Sequence, residues 1–453
     1  MDVIIVGSGQ AGVPLAVRLA GAGRRVALVE RARLGGTCVN YGCTPSKTMI
    51  ASAHAAHVAR TAAALGVHCG EVRVDLPAVV ARKEKIVDEW REGVAARIAQ
   101  AGPRLRLVRG TARFVGAREL EVGGERLRGE TVILNVGARP SVPKLPGLDR
   151  VPWLDNQRAM ELRELPRRLL VVGGGYIGCE LGQMFRRFGA EVTIVDRAPH
   201  LLAREDPEIS ESLEGVFRDE GIALELGVEL AGVELRGGEI VLRAGDRELT
   251  GSHLLIATGR HPNTDDLDCE AGGVARDQRG YVIVDDYYRT SAMGVFAVGD
   301  VTGPPQFTHT SWDDHRLLFE LLLGRGSRSR TDRLIPYAVF TDPEVGRIGM
   351  SESEARQAGV RYEVATLPFS AVARARETGR TAGVMKLLLD PETERVLGVA
   401  LVGAEAAELV HIFVPLMQAG ASARAIVDPE FVHPTFAEGV QSLVMRLPRY
   451  ALD

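Results

Sequence analysis

The amino-acid sequence predicts an α/β fold with two similar βαβ modules and a C-terminal α+β region. Two glycine-rich loops, 7–12 and 173–178, each follow a short apolar run and precede a helical pattern. An acidic residue follows each loop at the same interval, Glu30 after the first and Asp196 after the second. From about residue 335 onward, strand and helix patterns continue without such a loop. The repeat therefore predicts two Rossmann-like dinucleotide-binding domains, and the later change predicts a third domain.

The first module has a predicted buried strand at 3–6, a helix to about residue 22 and a strand at 25–29. The glycines permit a tight turn and a close approach of the backbone to a pyrophosphate, and the helix N-terminus faces the phosphates. Glu30 stands where a carboxylate binds ribose hydroxyls. This module is therefore predicted to bind a dinucleotide, the alternative being an ordinary glycine-rich turn.

Two of the five cysteines, Cys38 and Cys43, lie a few residues beyond the first module. In an ideal helix, residues five apart are separated by about 7.5 Å along the axis, more than the roughly 3.8 Å between Cβ atoms that a disulfide requires. A disulfide here needs a distorted backbone, which Gly42 permits and which Pro45 favours by disfavouring a helical Thr44. Two reduced cysteines in a turn are the alternative interpretation.

Length, charge and cysteine usage limit the class of protein. A chain of 453 residues exceeds what one core usually supports, so two or three domains are expected. The 55 basic and 59 acidic residues give no reason to expect a nucleic acid or an anionic membrane surface as a partner. No apolar run is long enough to span a bilayer and no signal peptide is evident, so a cytoplasmic location is predicted. Five cysteines are too few for a secreted disulfide framework, and no resident metal site is predicted.

The second module repeats the first, with predicted strands at 168–172 and 192–195 around a helix. Two loops at matched spacing imply two bound dinucleotides, of which one could be a flavin dinucleotide and the other a nicotinamide dinucleotide. Preference for the 2′-phosphate of NADPH stays open. Asp196 would repel that phosphate by up to about 4 kcal/mol at close range, whereas Arg197 and Arg204 could attract it.

The other predicted elements complete the domains. They are helices at about 47–65, 75–101 and 312–323, an antiparallel segment at 105–127, a linker at 143–147, strands at 131–135, 281–284, 294–298, 338–340, 383–389 and 396–402, and helices beginning near 404 and 421. Asp300, directly after a strand, is placed to accept hydrogen bonds from cofactor hydroxyls, with a helix N-cap as the alternative. Thr435 and Glu438 have the spacing of a capping box, so a purely structural role for Glu438 is to cap the final helix. His433 precedes that final helix without such an explanation.

Together these motifs resemble the flavin-dependent pyridine nucleotide-disulfide oxidoreductases, which include dihydrolipoamide dehydrogenase, glutathione reductase and mercuric reductase. The motifs that carry the resemblance are 7–12 with Glu30, the Cys38/Cys43 stretch, 173–180, 257–263, 296–300, 340–346 and 433–438. The resemblance covers essentially the whole chain and implies a homodimer. The implied domains are an FAD-binding domain at 1–142 and 264–330, an NAD(P)-binding domain at 143–263 and an interface domain at 331–453.

The resemblance also implies how electrons pass. NADH or NADPH would enter beside Tyr176, the gate position, and pass a hydride to FAD, whose electrons reduce the Cys38–Cys43 disulfide. Lys47 and Glu180 would pair near the reactive edge of the flavin. The implied FAD-binding residues are Gly7, Gly9, Gly12, Glu30, Gly36, Thr37, Gly137 and Asp300. The implied NAD(P)-binding residues are Gly173, Gly175, Tyr176, Gly178, Asp196, Arg197 and Gly259.

The implied catalytic set is Cys38, Cys43, Lys47, Glu180, His433 and Glu438. Cys43 would face the flavin as the charge-transfer thiolate, and Cys38 would exchange with substrate. His433, oriented by Glu438 and supplied by the partner subunit, would serve as acid and base for Cys38. The chemistry requires this because an unperturbed thiol, with a pKa near about 8.5, is mostly protonated at neutral pH. The role of His309 is left open, and it stays outside the catalytic set.

Departures from the family pattern leave the substrate open. The segments 37–44 and 307–311, with Asp342, resemble mercuric reductase more than the lipoamide enzymes. Yet no cysteine follows Cys269, where mercuric reductases carry a thiol pair that hands over Hg(II), and His433 is the residue of the disulfide reductases. The predicted function is NAD(P)H-dependent reduction of a small disulfide, a soft metal ion or another oxidant. Dihydrolipoamide dehydrogenase is the runner-up, and a flavin-bearing redox-sensing or docking subunit is the alternative of another class.

Overall fold

The computed structural model describes residues 1–326 and 328–451, and these form two compact units. Unit 1 contains 1–48, 78–141 and 259–333, and unit 2 contains 49–77, 142–258 and the chain from 334 onward. The predicted α/β class is confirmed by the parallel sheet in each unit. Within the described ranges, no helix combines the length and hydropathy needed to cross a bilayer. The cytoplasmic location and the three predicted domain boundaries stay predictions.

The strands, in chain order, are β1 Val3–Val6, β2 Val26–Glu30, β3 Leu105–Arg109, β4 Ala112–Gly116, β5 Glu119–Val122, β6 Glu125–Arg128, β7 Thr131–Leu134, β8 Ala138–Pro140, β9 Trp153–Leu154, β10 Arg168–Val172, β11 Glu191–Asp196, β12 Ala223–Leu226, β13 Leu230–Arg236, β14 Glu239–Ala244, β15 Arg247–Gly251, β16 His253–Ile256, β17 Arg260–Pro262, β18 Val295–Ala297, β19 Tyr337–Val339, β20 Glu344–Gly349, β21 Glu363–Pro368, β22 Val384–Leu389 and β23 Val396–Gly403.

The α-helices are α1 Gly12–Gly21, α2 Gly36–Tyr41, α3 Cys43–Thr61, α4 Leu76–Gln100, α5 Asn156–Met160, α6 Tyr176–Phe188, α7 Pro207–Asp219, α8 Thr308–Leu322, α9 Glu352–Gln357, α10 Ala373–Glu377, α11 Ala406–Leu409, α12 Phe413–Gln418, α13 Arg424–Val427 and α14 Ala437–Val444. Short 3-10 segments lie at Ala62–Leu65, Leu148–Arg150, Gly299–Thr302, Phe369–Ala371 and Val410–Ile412.

Unit 1 is built on the parallel sheet β18-β7-β1-β2-β3. Alternate residues of its strands face opposite sides. Ile5 packs in a core with residues of α1, α4 and α8, whereas Ile4 packs in a second core with residues of the antiparallel sheet β4-β5-β6. Because both faces are covered, the strands are apolar throughout, as is usual for parallel sheets. The register pairs Val6 with Val29, so Glu30 lies at the carboxyl end of the sheet, beside the loop that follows β1.

Unit 2 contains a second parallel sheet, β12-β11-β10-β16-β9. One face packs on the antiparallel sheet β13-β14-β15, through Leu170 and Leu242, among others. The register pairs Val172 with Val195, so Asp196 takes the place in this sheet that Glu30 takes in the first. The antiparallel sheet β19-β20-β23-β22-β21 and α14 enclose the core of the C-terminal region. The repeat predicted from the two loops is confirmed.

Several predicted elements differ from the observed ones. Residues 281–284 form no strand and make one isolated bridge, in which Val282 pairs with Arg276. Helix α8 begins at Thr308 rather than near 312. Thr44 is helical although Pro45 follows it, so the expectation for this residue was wrong. The reason is that Pro45 stands in the first turn of α3, where its missing N–H costs no intrahelical hydrogen bond.

Candidate active site

The two candidate thiols lie on either side of a break between helices. Cys38 lies in α2, and Cys43 is the first residue of α3. Gly42 between them has φ -122° and ψ -119°, outside the helical region, so the predicted distortion is confirmed. A Cβ atom on Gly42 would lie only 3.0 Å from the carbonyl oxygen of Thr37 and 3.2 Å from Cα of Cys38. The break therefore folds the start of α3 closely against α2.

Thr308 completes a small polar cluster with the thiols. Its Oγ1 lies 3.2 Å from Sγ of Cys43, and both cysteines are present as thiols. The hydrogen bond with Cys43, followed by burial, raises the pKa of Cys38. A negative charge on Cys43 would be within reach of hydrogen bonds donated by Cys38 and Thr308. Thr308 was missed in the sequence because the predicted helix began four residues later.

The start of α8 adds a favourable electrostatic environment for that charge. No acidic residue occupies its first turn, so the partial positive charge of the helix N-terminus is not cancelled locally. The rings of Phe307 and His309 stack with centroids 5.3 Å apart and an interplanar angle of 10°. The two rings therefore pack against each other at the helix start.

The first glycine loop has the close backbone packing that a dinucleotide cradle requires. A Cβ atom on Gly12 would lie 2.0 Å from the carbonyl oxygen of Gly7, and one on Gly36 would lie 2.7 Å from Cα of Gly9. Asn135 donates from its side chain to the carbonyl oxygen of Gly7 at 3.2 Å. Through this contact Asn135, directly after β7, holds the loop.

Asp300 lies at the end of the first sheet, as predicted from its strand. It forms an ion pair with Arg260 at 3.1 Å. Burial raises the pKa of this carboxyl, and the guanidinium of Arg260 opposes the increase. The preceding residue, Gly299, is held by a hydrogen bond in which its N–H donates to the carboxylate of Asp314 at 2.7 Å. Gly137, another candidate of this module, has a φ of +69° and turns the chain out of β7.

The second loop repeats this packing. A Cβ atom on Gly178 would lie 1.8 Å from the carbonyl oxygen of Gly173. Tyr176 is the first residue of α6 and is 37% exposed. Arg197 is exposed just beyond β11, and Gly259, with a φ of +128°, leads into β17. Gly175 precedes α6 in an extended conformation.

Glu180 is buried in α6, and a neighbouring segment of unit 2 holds its carboxylate. Phe340 donates its backbone N–H to Oε1 of Glu180 at 2.9 Å. One turn further, Gln183 accepts from the N–H of Asp342 at 2.8 Å and donates to its carbonyl oxygen at 2.7 Å. Arg187 continues the same helix face with a 2.7 Å contact to the Asp342 carboxylate. Lys47 belongs to unit 1, so its pairing with Glu180 stays a prediction.

Asp342 also reaches the helix that begins at Cys43. Nδ1 of His54, in α3, lies 3.0 Å from Oδ2 of Asp342. Burial alone would raise the pKa of this carboxyl, but the hydrogen bonds and charges of His54 and Arg187 hold it well below its usual range. Sequence comparison had pointed to Asp342 only as a mark of resemblance. The structure shows that, within unit 2, it joins His54 of α3 to Arg187 of α6.

His433 and Glu438 form the second half of the candidate site. Nδ1 of His433 lies 2.8 Å from Oε2 of Glu438, and the histidine side chain is 70% exposed. The other oxygen of Glu438 accepts from the N–H of Thr435 at 3.4 Å, while Oγ1 of Thr435 accepts from the N–H of Glu438 at 3.2 Å. The carboxylate therefore holds the histidine and caps the last helix at the same time.

A thiol pair beside one dinucleotide cradle, a second cradle of the same kind in the other unit, and a histidine–carboxylate pair on an exposed segment together define a flavoprotein disulfide reductase. The chain belongs to the pyridine nucleotide-disulphide oxidoreductase family, whose sequence model matches residues 1–314. The model for the dimerisation domain of the same family matches residues 335–444, which supports a homodimer. The predicted family is confirmed, and its members are FAD-dependent enzymes that use NAD(P)H.

Individual relatives cover nearly the whole chain. The probable pyridine nucleotide-disulfide oxidoreductase RclA of Escherichia coli is 37% identical over 450 residues, 98% of each chain. A mercuric reductase of Lysinibacillus sphaericus is 35% identical over 97% of this chain and 81% of its own. A solved Cu(II) complex of the HOCl-induced flavoprotein disulfide reductase RclA superposes with a TM-score of 0.90 at 36% identity, covering 98% of this chain and 99% of that one.

The described residues of unit 1 fit an FAD. The closely packed glycine loop would let a pyrophosphate approach its backbone. Glu30, at the position of a ribose-binding acid, accepts hydrogen bonds from the N–H and the hydroxyl of Ser8. Two buried polar atoms, Nε of Arg260 and Oγ1 of Thr310, have no hydrogen-bond partner among the described residues. Buried polar groups are nearly always satisfied in native proteins, so these two are suited to a polar ligand beside Asp300 and α8.

Proposed function

We propose that this chain is an NAD(P)H-dependent reductase whose Cys38/Cys43 couple delivers electrons to a soft, thiophilic metal ion such as Cu(II) or Hg(II). The observation that carries the proposal is the cluster of Cys38, Cys43 and Thr308, in which the Thr308 hydroxyl lies 3.2 Å from Sγ of Cys43, where it can donate a hydrogen bond to a thiolate. Soft metal ions prefer thiolate ligands. The Cu(II) complex of RclA and the mercuric reductases among the relatives support this substrate class.

The roles of the chain's own residues follow from their positions. FAD, when bound, supplies hydride acceptance from NAD(P)H and electron transfer to a disulfide. Gly7, Gly9, Gly12, Glu30, Gly36, Thr37, Gly137 and Asp300 would hold it. Gly173, Gly175, Tyr176, Gly178, Asp196, Arg197 and Gly259 would hold the nicotinamide dinucleotide. Phe340 would hold the carboxylate of Glu180, which the family resemblance pairs with Lys47. The domains proposed with these roles are an FAD-binding domain at 1–142 and 264–330, an NAD(P)-binding domain at 143–263 and an interface domain at 331–453.

With a metal ion, the dithiol is the reductant. The Cys38/Cys43 pair gives one electron to each of two Cu(II) ions, which leave as Cu(I). With Cys43 as the thiolate and Cys38 as the thiol, the pair becomes a disulfide and releases one proton, that of Cys38. His433 of a second subunit, held by Glu438, would accept the proton of Cys38, because the thiolate rather than the thiol binds the metal. Its exposure on the dimerisation domain supports this assignment.

A small disulfide is the second candidate substrate, and the intact His433–Glu438 pair favours it. The thiolate of Cys38 would attack one sulfur, and the leaving thiolate would take a proton from His433. Cys43 would then attack Cys38 and release the second thiol. A dihydrolipoyl dehydrogenase of Thermus scotoductus, 35% identical over the full chain, supports this candidate.

The test is a substrate panel with purified, FAD-loaded enzyme. NADH and NADPH oxidation would be followed with Cu(II), Hg(II), lipoamide and glutathione disulfide. We expect turnover with a metal ion that Cys38→Ser abolishes. Efficient turnover of lipoamide alone would contradict the metal proposal and favour the disulfide candidate. Lack of bound FAD and of any NAD(P)H oxidation would favour a docking or sensing subunit.

The contribution of His433 from the partner subunit has its own test. Cys38→Ser and His433→Ala homodimers should each be inactive. Co-refolded mixtures of the two should regain up to about a quarter of native activity, since half of the dimers are hybrids with one intact site of two. Absence of any regain, with hybrid dimers demonstrated by tagged subunits, would show that the histidine acts within its own chain.

A further inference from the structure

The two acidic residues at the ends of β2 and β11 are held in the same way. In unit 1, Oε2 of Glu30 accepts from the N–H of Ser8 at 3.0 Å, and Oε1 accepts from the N–H of Ala32 at 2.8 Å. In unit 2, Oδ2 of Asp196 accepts from the N–H of Gly174 at 2.5 Å, and Oδ1 accepts from the N–H of Ala198 at 2.8 Å.

The donors occupy equivalent positions in the two modules. One donor follows the first glycine of the loop, and the other lies two residues beyond the acid. The sheet registers are also equivalent, as are the glycine contacts that close each loop. The repeat therefore extends from the sequence to the hydrogen bonds of the carboxylate, although one acid is a glutamate and the other an aspartate.

These bonds fix the place of the Asp196 carboxylate. Two backbone N–H groups donate to it, one to each oxygen. The loop cannot easily move away, since a Cβ atom on Gly174 would already lie 2.8 Å from Cδ2 of Leu201. A carboxylate so held accepts hydrogen bonds from ribose hydroxyls and repels a phosphate on the 2′-oxygen.

The cations nearby in sequence are less well placed to offset this repulsion. Arg197 and Arg204 are both exposed, so water and salt screen their charges. Nδ1 of His200 lies 3.2 Å from the buried carboxylate of Glu214, which also accepts from the N–H of Leu201. The histidine is thereby engaged within the fold. The conflict of charges left open by the sequence is thus decided by geometry in favour of Asp196.

We propose that the second module is built for a ribose with a free 2′-hydroxyl, so that NADH is the electron donor and Asp196 is the residue that excludes NADPH. This inference rests on the proposed function, and it names the donor for the same site. The first module is the internal precedent, since FAD, which the family binds, carries no 2′-phosphate on its adenosine ribose.

The test compares both donors on the FAD-loaded enzyme by two measurements. Stopped-flow flavin reduction should give a second-order rate constant at least about tenfold higher with NADH than with NADPH. Isothermal titration should give a correspondingly tighter dissociation constant for NAD⁺ than for NADP⁺. Equal values, or a preference for the phosphorylated form, would overturn the inference. If neither donor reduced the flavin, the proposed function would fail, while the binding ratio would still decide the donor.

A variant separates the charge of Asp196 from its structural bonds. Asp196→Asn keeps an oxygen for one of the two N–H groups and removes the negative charge, so the loop should stay folded. The ratio of NAD⁺ to NADP⁺ affinity should then move toward NADP⁺ by about tenfold. Thermal unfolding with FAD bound checks the fold. A folded variant with the native ratio would show that Asp196 does not set the preference.

Discussion

Removal of the Thr308 hydroxyl should make the thiol pair harder to ionise. The hydroxyl lies 3.2 Å from Sγ of Cys43. A hydrogen bond that it donates stabilises the thiolate much more than the neutral thiol. Hydrogen bonds to charged groups contribute about 1.5–3 kcal/mol, and the lower value applies because Cys43 is exposed. Since 1.36 kcal/mol corresponds to one pKa unit, Thr308→Val should raise the apparent pKa of the pair by about one unit.

The measurement is the pH dependence of alkylation in the NADH-reduced holoenzyme. The rate of iodoacetamide reaction follows the thiolate fraction, so the midpoint should move up by about one pH unit in Thr308→Val. The matched control is Thr308→Ser, which keeps the hydroxyl and should keep the native midpoint. If the valine variant also titrates like the native enzyme, Thr308 does not stabilise the thiolate and the assignment of Cys43 loses its main support.

Three further predictions concern groups away from the thiols. Lys386→Met should lower the free energy of unfolding by about 3 kcal/mol at pH 7, because it leaves carboxylates such as Glu352, 2.6 Å away, without their buried cation. Burial opposes ionisation of Glu352, but hydrogen bonds, that of Lys386 first among them, lower the pKa of its carboxyl to about 2. In urea denaturation, the stability lost by Lys386→Met should therefore be largest above about pH 4.5 and become smaller as the pH falls toward 2. Gln183→Met should cost about 2 kcal/mol in the same assay, since the N–H of Asp342 loses its partner and its carbonyl oxygen keeps only the 3.3 Å bond from Arg187; native stability would show that water replaces the Gln183 amide. Glu438→Gln should lower turnover about tenfold with little loss of stability, whereas Glu438→Ala should also cost about 1 kcal/mol by removing the helix cap; equal turnover in Gln and native enzyme would exclude an orienting role.

Local patterns predicted the parts of the fold that local physics determines. The two glycine loops, the strands before them and the acids after them are set by backbone requirements within each βαβ unit, and all were found where expected. Gly42 interrupts the helical run between the two cysteines, as predicted, because glycine tolerates the non-helical dihedral angles found there. The start of α8 was missed because the polar run before Trp312 lacks apolar periodicity, although it is helical.

Contacts between distant segments could not be predicted in the same way. Thr308 lies 265 positions from Cys43, and no pattern near either residue indicates the other. The carboxylate of Glu180 is held by the backbone N–H of Phe340. Every non-proline residue carries such a group, so no sequence pattern distinguishes it. Asn135 likewise acts through the carbonyl oxygen of Gly7, which lies far away in sequence. Such residues are found only when tertiary structure brings the backbone groups together.

Glu438 shows why a structural and a catalytic interpretation of one residue need not compete. The capping-box spacing indicated a helix cap, and the resemblance indicated an orienting partner for His433. The carboxylate does both, because its two oxygens face different groups: one bonds the N–H of Thr435, and the other bonds Nδ1 of His433. A rigid helix start thereby fixes the direction of the imidazole, which leaves Nε2 as the atom available for proton transfer. The cap is thus the means by which the start of α14 holds an exposed histidine in one orientation, as the proposed role of His433 requires.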